Sequence, residues 1–79
     1  MTDERIKITS YSGYRDEEVP RSFFLDGRRI EIIELLDMWI EETLSDRTRR
    51  RFFKVRGSDG FTHRIYRDER RKEWYRQVR

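Results

Sequence analysis

The side chains with chemical potential are few. His63 is the only histidine and the chain has no cysteine. A zinc-type site draws several His, Cys or carboxylate ligands to one point, and this composition supplies no such set. Hydroxyls stand at Ser10, Ser12, Ser22, Ser45 and Ser58. A serine nucleophile needs a base that is itself held by a third group, and only His63 is available as that base. Ser58 and Asp59 lie close to it in sequence, but turn chemistry already accounts for both. Carboxylates come in pairs at Glu17–Glu18, Glu41–Glu42 and Asp68–Glu69. Such pairs do acid–base work when burial or a neighbour splits their pKa values, whereas these sit in polar, arginine-rich stretches that solvate them. Gly57-Ser58-Asp59-Gly60 lacks the lysine and following helix of a phosphate loop and reads as a hairpin turn. No catalytic residue, metal site or cofactor is expected, and His63 reads as a strand histidine on the sheet surface.

One constellation stands above this background. Arg47, Arg49, Arg50, Arg51, Lys54 and Arg56 follow one another with no acid among residues 47–56. If Phe53 and Val55 face a core, strand alternation sends Phe52, Lys54 and Arg56 outward. Arg64 and Tyr66 share that face from the neighbouring strand. Arginines for phosphate and rings for base stacking are the components of single-stranded nucleic-acid platforms. The same surface suits an acidic protein partner, or the arginine stems cover a second, smaller apolar cluster. The candidate binding residues are therefore Arg49, Arg50, Arg51, Phe52, Lys54, Arg56, Arg64 and Tyr66.

The elements that must position these residues are short. Seventy-nine residues make one small domain, expected to span 1–79 with residues 1–4 and 79 frayed. A charged fraction of 44% against 34% hydrophobic is a balance that often prevents folding. The 14% aromatic content restores a core, since each large ring buries roughly 150–250 Å². No apolar run approaches the roughly 20 residues of a membrane helix, and residues 1–5 carry no apolar leader. The chain is expected to be cytoplasmic, without a membrane partner, and a monomer or weak homo-oligomer.

Alternation at Ile6 and Ile8 predicts a strand over 5–9. Residues 15–20 read as a polar loop closed by Pro20. Asp26-Gly27 tolerates the positive φ angles of a two-residue hairpin turn. That turn sets Leu25 opposite Arg28 and Phe23 opposite Ile30, with Phe23, Leu25, Ile30 and Ile32 inward and Ser22, Phe24, Arg29 and Glu31 outward. After Ile32 the signals diverge. Ile33, Leu36, Ile40 and Leu44 form a helical stripe, and Leu, Glu and Met favour helix. A strand requires a slip of phase between Ile32 and Leu35, as a β-bulge provides. The turn register carries a strand over about 28–37, with a short helical turn around 37–46. Residues 41–51 read as a flexible, Arg-rich loop. A strand then restarts at Phe52. A three-residue Ser58–Gly60 turn pairs Val55 with His63 and Phe53 with Ile65, and a last strand covers 73–78. The expected core is Ile6, Ile8, Phe23, Leu25, Ile30, Ile32, Leu35, Trp39, Phe53, Val55, Ile65, Trp74 and Val78. Five to six short strands joined by tight turns predict an all-β fold: a curled antiparallel sheet or small open barrel, SH3-like or similar.

These patches also carry a likeness. Tyr11-Ser12-Gly13-Tyr14-Arg15, Pro20 and Phe23 are followed by the run Gly27 to Trp39. Phe52-Phe53-Lys54-Val55-Arg56, Asp59-Gly60, Ile65-Tyr66-Arg67-Asp68 and Glu73-Trp74 complete the pattern. It resembles a family of small bacterial domains of unknown function, from residue 5 onward. Relatives of that pattern are Val-rich where this chain has Ile30-Glu31-Ile32-Ile33-Glu34-Leu35-Leu36, which implies strand. The Arg-rich connection 41–51 departs from it. The likeness implies a fold and no activity, so the expected role is a non-enzymatic interaction module. Nucleic-acid binding through the basic face and structural self-association through a strand edge are the alternatives.

Overall fold

A computed structural model describes residues 3–13 and 19–78. Six strands follow one another: β1 (Glu4–Ser12), β2 (Val19–Leu25), β3 (Arg28–Glu42), β4 (Arg49–Gly57), β5 (Thr62–Asp68) and β6 (Glu73–Arg76). Each pairs antiparallel with the next, and β6 returns to β1, so the sheet closes into a barrel. The all-β expectation holds, with closure in place of an open barrel. The expected fraying at residues 1, 2 and 79, and most of the expected 15–20 loop, lie outside the described residues. Glu4, expected to fray, begins β1. Val19 and Pro20, expected in that loop, belong to β2. The last strand stops at Arg76, and Val78 beyond it is half-buried.

Two turns fix the register as their residue types require. Asp26 and Gly27 take φ of 54° and 76°, which sets Leu25 against Arg28 and Phe23 against Ile30. In the second, Gly60 takes φ of 87°, and its N–H and that of Gly57 close the loop onto Gly57 and Phe61 carbonyls. Val55 then meets His63, and Phe53 meets Ile65. Gly57 cannot be another residue cheaply. A Cβ there would lie 2.7 Å from Asp59 Oδ1 and 2.8 Å from an Ile30 methyl.

Inside the barrel, Ile6, Phe23, Ile30, Phe53, Val55, Ile65 and Trp74 form one buried cluster, with Ile8, Val19, Leu25 and Ile32 packed against it. Ser22, expected outward, is fully buried. A bulge in β1 brings the Thr9 and Ser10 hydroxyls onto the Ser22 hydroxyl, so the buried oxygen is satisfied.

The largest departure is in β3. Residues 37–42 remain extended, so the helical turn expected around 37–46 does not form. Tertiary pairing overrides the helix propensity of Leu, Glu and Met. Nine register pairs tie β3 to β4, from Ile32↔Gly57 to Glu42↔Arg49. The phase slip occurs twice, between Ile32 and Glu34 and between Leu35 and Asp37. The flexible 41–51 loop shrinks accordingly to residues 43–48, because Glu41 and Glu42 end β3 and Arg49, Arg50 and Arg51 begin β4. That connection is closed by Thr43 N–H donating to the Thr48 carbonyl at 2.9 Å, and by Asp46 Oδ1 accepting from Thr48 N–H at 3.0 Å. No helix among the described residues is long and apolar enough to cross a membrane.

Candidate interaction surface

Register places the expected binding residues on two different faces. Phe53 and Val55 point inward, so Arg50, Phe52, Lys54 and Arg56 occupy the outer face of β4, and Arg49 and Arg51 the opposite one. Arg64 and Tyr66 share the outer face from β5, as Lys54↔Arg64 and Phe52↔Tyr66 pairs. Alternation is therefore correct for Phe52, Lys54, Arg56, Arg64 and Tyr66, but the accessibility expected of the rings is not there. Phe52 is 2% exposed and Tyr66 5%.

The rings are covered by one another. Trp39, Phe52, Tyr66 and Tyr75 are successive cross-strand partners on β3, β4, β5 and β6. Their centroids stand 5.2, 4.8 and 5.4 Å apart, with the planes of Trp39 and Phe52 5° from parallel. The Arg50 guanidinium lies 5.5 Å from the Tyr66 centroid. The Tyr66 hydroxyl donates to Asp3 Oδ2 at 2.6 Å. Burial, and then that carboxylate, push the phenol far above its ordinary value. The outer face of the barrel thus holds a second apolar layer covered by charged stems, the structural alternative to a stacking platform. Trp39, expected in the inner core, belongs to this layer.

The cationic run is matched in the same way. Between Glu31 and Glu42, β3 carries Glu31, Glu34, Asp37, Glu41 and Glu42 and no base. Its register sets Glu34 against Arg56, Asp37 against Lys54, Glu41 against Arg50 and Glu42 against Arg49. Glu34 and Arg56 form an ion pair at 2.8 Å. Opposite charges at facing positions contribute to strand pairing, so much of what the sequence offers as a binding patch is the seam of this hairpin. Arg51 faces Ile40 and Arg67. Lys54 and Arg64 line an open cleft of about 800 Å³ that Asp3 and Arg76 also reach.

His63, expected on the sheet surface, is buried, with its ring edge-on to Phe23 at 5.5 Å. Its Nε2 meets Asp59 Oδ2 at 2.9 Å, while Nδ1 has no hydrogen-bond partner among the described residues. Burial pushes the Asp59 carboxyl up, but the Phe61 N–H and the hydrogen bond and charge of His63 outweigh it and hold the group below its ordinary value. Ser58 Oγ accepts from Glu31 N–H at 3.0 Å. The turn therefore engages each of these groups structurally. Among the described residues no group of three or more His, Asp and Glu is arranged to hold a metal ion.

Comparison with protein-family models, curated proteins and solved structures finds no match. Strand pairing and side-chain exposure are the geometry that marks a site.

That geometry points to β3. Its first positions, Arg28–Glu31, pair with β2, but β2 reaches no further. Among the described residues, only β4 pairs with β3 beyond Glu31, which leaves one edge without a ladder. The same segment exposes Ile33, Leu35, Leu36, Met38 and Ile40, with Leu35 41% and Met38 53% exposed. Leu35 and Met38 face the same side as their partners Val55 and Phe53. They miss the core because the hairpin runs past the strands that would cover them. Leu35, expected inside, is therefore surface. The two register shifts fall in the middle of β3, and from Asp37 to Glu42 the register is regular. The signal for this surface is strand length: β3, at 15 residues, is about twice as long as the 7-residue β2 that has to flank it.

Proposed function

We propose that this protein is a small, non-enzymatic interaction module that takes an extended segment of a partner protein onto the edge of β3 that no described strand pairs. The observation that carries this is the regular stretch Asp37–Glu42, which has a strand ladder on one side only among the described residues, with Met38 and Ile40 exposed within it and Leu35 and Leu36 exposed just before it. An added strand satisfies the open backbone groups, and alternate side chains give selectivity. Natural sheets blunt such edges with bulges and charges. The bulges near Ile33 and Leu36 do so for the first half of the segment and leave the second half regular.

Charge argues for a different protein over a second copy. The register that sets Met38 of one copy against Ile40 of another also sets Asp37 against Glu41 at both ends. Like charges directly opposite destabilise a pair. Nucleic-acid stacking loses its platform to the burial of Phe52 and Tyr66.

Hydrogen exchange followed by NMR tests this reading, with an octapeptide of alternating threonine and valine as probe. Slowed exchange at alternate amides within 37–42, with 52–56 unchanged, is the expected result. No protection on β3 overturns the proposal. So does protection that needs no peptide and grows with protein concentration alongside sedimentation mass, which would make the occupant a second copy.

A further inference from the structure

The ring stack on the outer face ends at the same edge. Tyr75, Tyr66, Phe52 and Trp39 follow strand order from β6 to β3. Trp39 is the terminal ring, with one face against Phe52 at 5.2 Å. Its other face looks across the edge that no described strand pairs, where an added strand would place its next outward side chain. Trp39 Nε1 donates to Glu41 Oε2 at 2.9 Å, so the indole is held in orientation by a carboxylate beside it. Asp37 and Glu41 stand two residues to either side of Trp39 and alternate onto the same face as the ring. Asp37 Oδ1 accepts from Met38 N–H at 2.8 Å, which fixes that carboxyl near the edge. On the other face of the strand, Met38 and Ile40 are exposed and apolar.

Resting on the edge-binding reading above, we propose that the partner segment is an alternating basic–apolar strand whose central arginine lies flat on Trp39 as the next layer of the stack. Its flanking basic residues face Asp37 and Glu41, and its apolar residues lie against Met38 and Ile40. A planar guanidinium suits this position better than an ammonium, because it stacks on an aromatic face and reaches a carboxylate in the same plane. The chain already shows this pairing code once. β4, with Arg50, Lys54 and Arg56 on one face and Phe53 and Val55 on the other, meets the acids of β3 across their shared ladder. The edge of β3 left without a ladder among the described residues presents the same acids to a strand on its opposite side.

The test uses three labelled octapeptides that alternate valine with arginine, lysine or glutamate, read by fluorescence anisotropy at low salt and by hydrogen exchange. The arginine peptide is expected to bind about tenfold more tightly than the glutamate one. It should also exceed the lysine peptide by about threefold. Trp39→Leu should remove the arginine–lysine difference, and Asp37→Lys with Glu41→Lys should reverse the order of the arginine and glutamate peptides. Equal affinity of all three, with protection of 37–42 retained, overturns the charge and stacking assignment while leaving edge binding intact. Absence of protection on β3 with every peptide overturns both. An arginine preference that survives both variants places the peptide elsewhere and also overturns the assignment.

Discussion

β3 and β4 are partners over nine register pairs, yet they meet water in opposite ways. β4 is the arginine-rich strand and buries Phe52, Phe53, Val55 and Gly57. β3 is the aliphatic strand, and beyond Ile32 it exposes Leu35, Leu36, Met38 and Ile40. The difference is one of neighbours. β4 lies between β3 and β5 along most of its length, so each of its side chains has ridges on both sides. The far half of β3 has, among the described residues, one flanking strand. Burial in a sheet depends on flanking strands on both sides, and apolar composition does not supply them.

Truncating facing residues on the two strands should separate them most strongly. Phe53 and Met38 are cross-strand partners. Phe53→Ala should destabilise by about 3–5 kcal/mol in urea denaturation, as core truncations do, while Met38→Ala should stay near about 0.5 kcal/mol. Equal costs would mean that the far half of β3 is covered after all. On the outer face of β4, Phe52→Ala should cost about 3 kcal/mol, because the ring is sandwiched between Trp39 and Tyr66. A cost below about 1 kcal/mol would show that the outer layer adds little to stability.

Gly57→Ala should cost about 1–3 kcal/mol by overpacking, since the new methyl meets Ile30 and Asp59 at 2.8 and 2.7 Å. A thermal melt indistinguishable from wild type would show that the turn relaxes freely. Tyr66→Phe removes a hydrogen bond to a carboxylate and should cost about 1.5 kcal/mol at neutral pH. Its pH dependence is the better signature. The folded pKa of Tyr66 is raised, so its contribution is full below the ordinary tyrosine value of about 10 and is lost as pH rises above it. The variant should therefore lose stability less steeply than wild type above about pH 10. The smallest effect concerns Asp59, whose folded pKa is lowered. Its contribution is present above about pH 4 and lost as pH falls through the folded value. Asp59→Asn should flatten the acid limb of the stability profile, and an unchanged limb would remove His63–Asp59 from the acid response.

The parts of this structure that were legible in the sequence are those fixed locally. Asp26-Gly27 and Ser58-Asp59-Gly60 determine register within a few residues, so the pairs Phe23↔Ile30 and Val55↔His63 followed from turn geometry alone. The inward positions of Phe23, Phe53, Val55 and Ile65 then followed by alternation, whereas the burial of Ser22 and His63 did not. What was not legible depends on elements far apart in sequence. The burial of Phe52 needs rings from β3 and β5. The matching of Arg49, Arg50, Lys54 and Arg56 by acids needs the β3 register past two bulges. The extension of β3 through Glu42 ran against the helix propensity of its own residues, and only pairing with β4 decides it. For the candidate surface, Leu35 read as core and Ile33, Leu36 and Ile40 as a helical stripe because a sequence does not say where the flanking strand stops.

The barrel is closed by β1 and β6 through three register pairs, Glu4↔Arg76, Arg5↔Tyr75 and Ile6↔Trp74. Ion pairs Arg5–Glu73 and Arg76–Glu4 flank them. Every other pairing joins strands adjacent in sequence and forms by closing a short loop. This one closes a loop of nearly the whole chain, and its entropy cost is met only after the hairpins exist. The order of assembly follows: hairpins first, the β1–β6 junction last. The amides of that junction are expected to exchange through sub-global openings well below the free energy that guards β4 and β5, and equal protection of both in native-state hydrogen exchange would count against this.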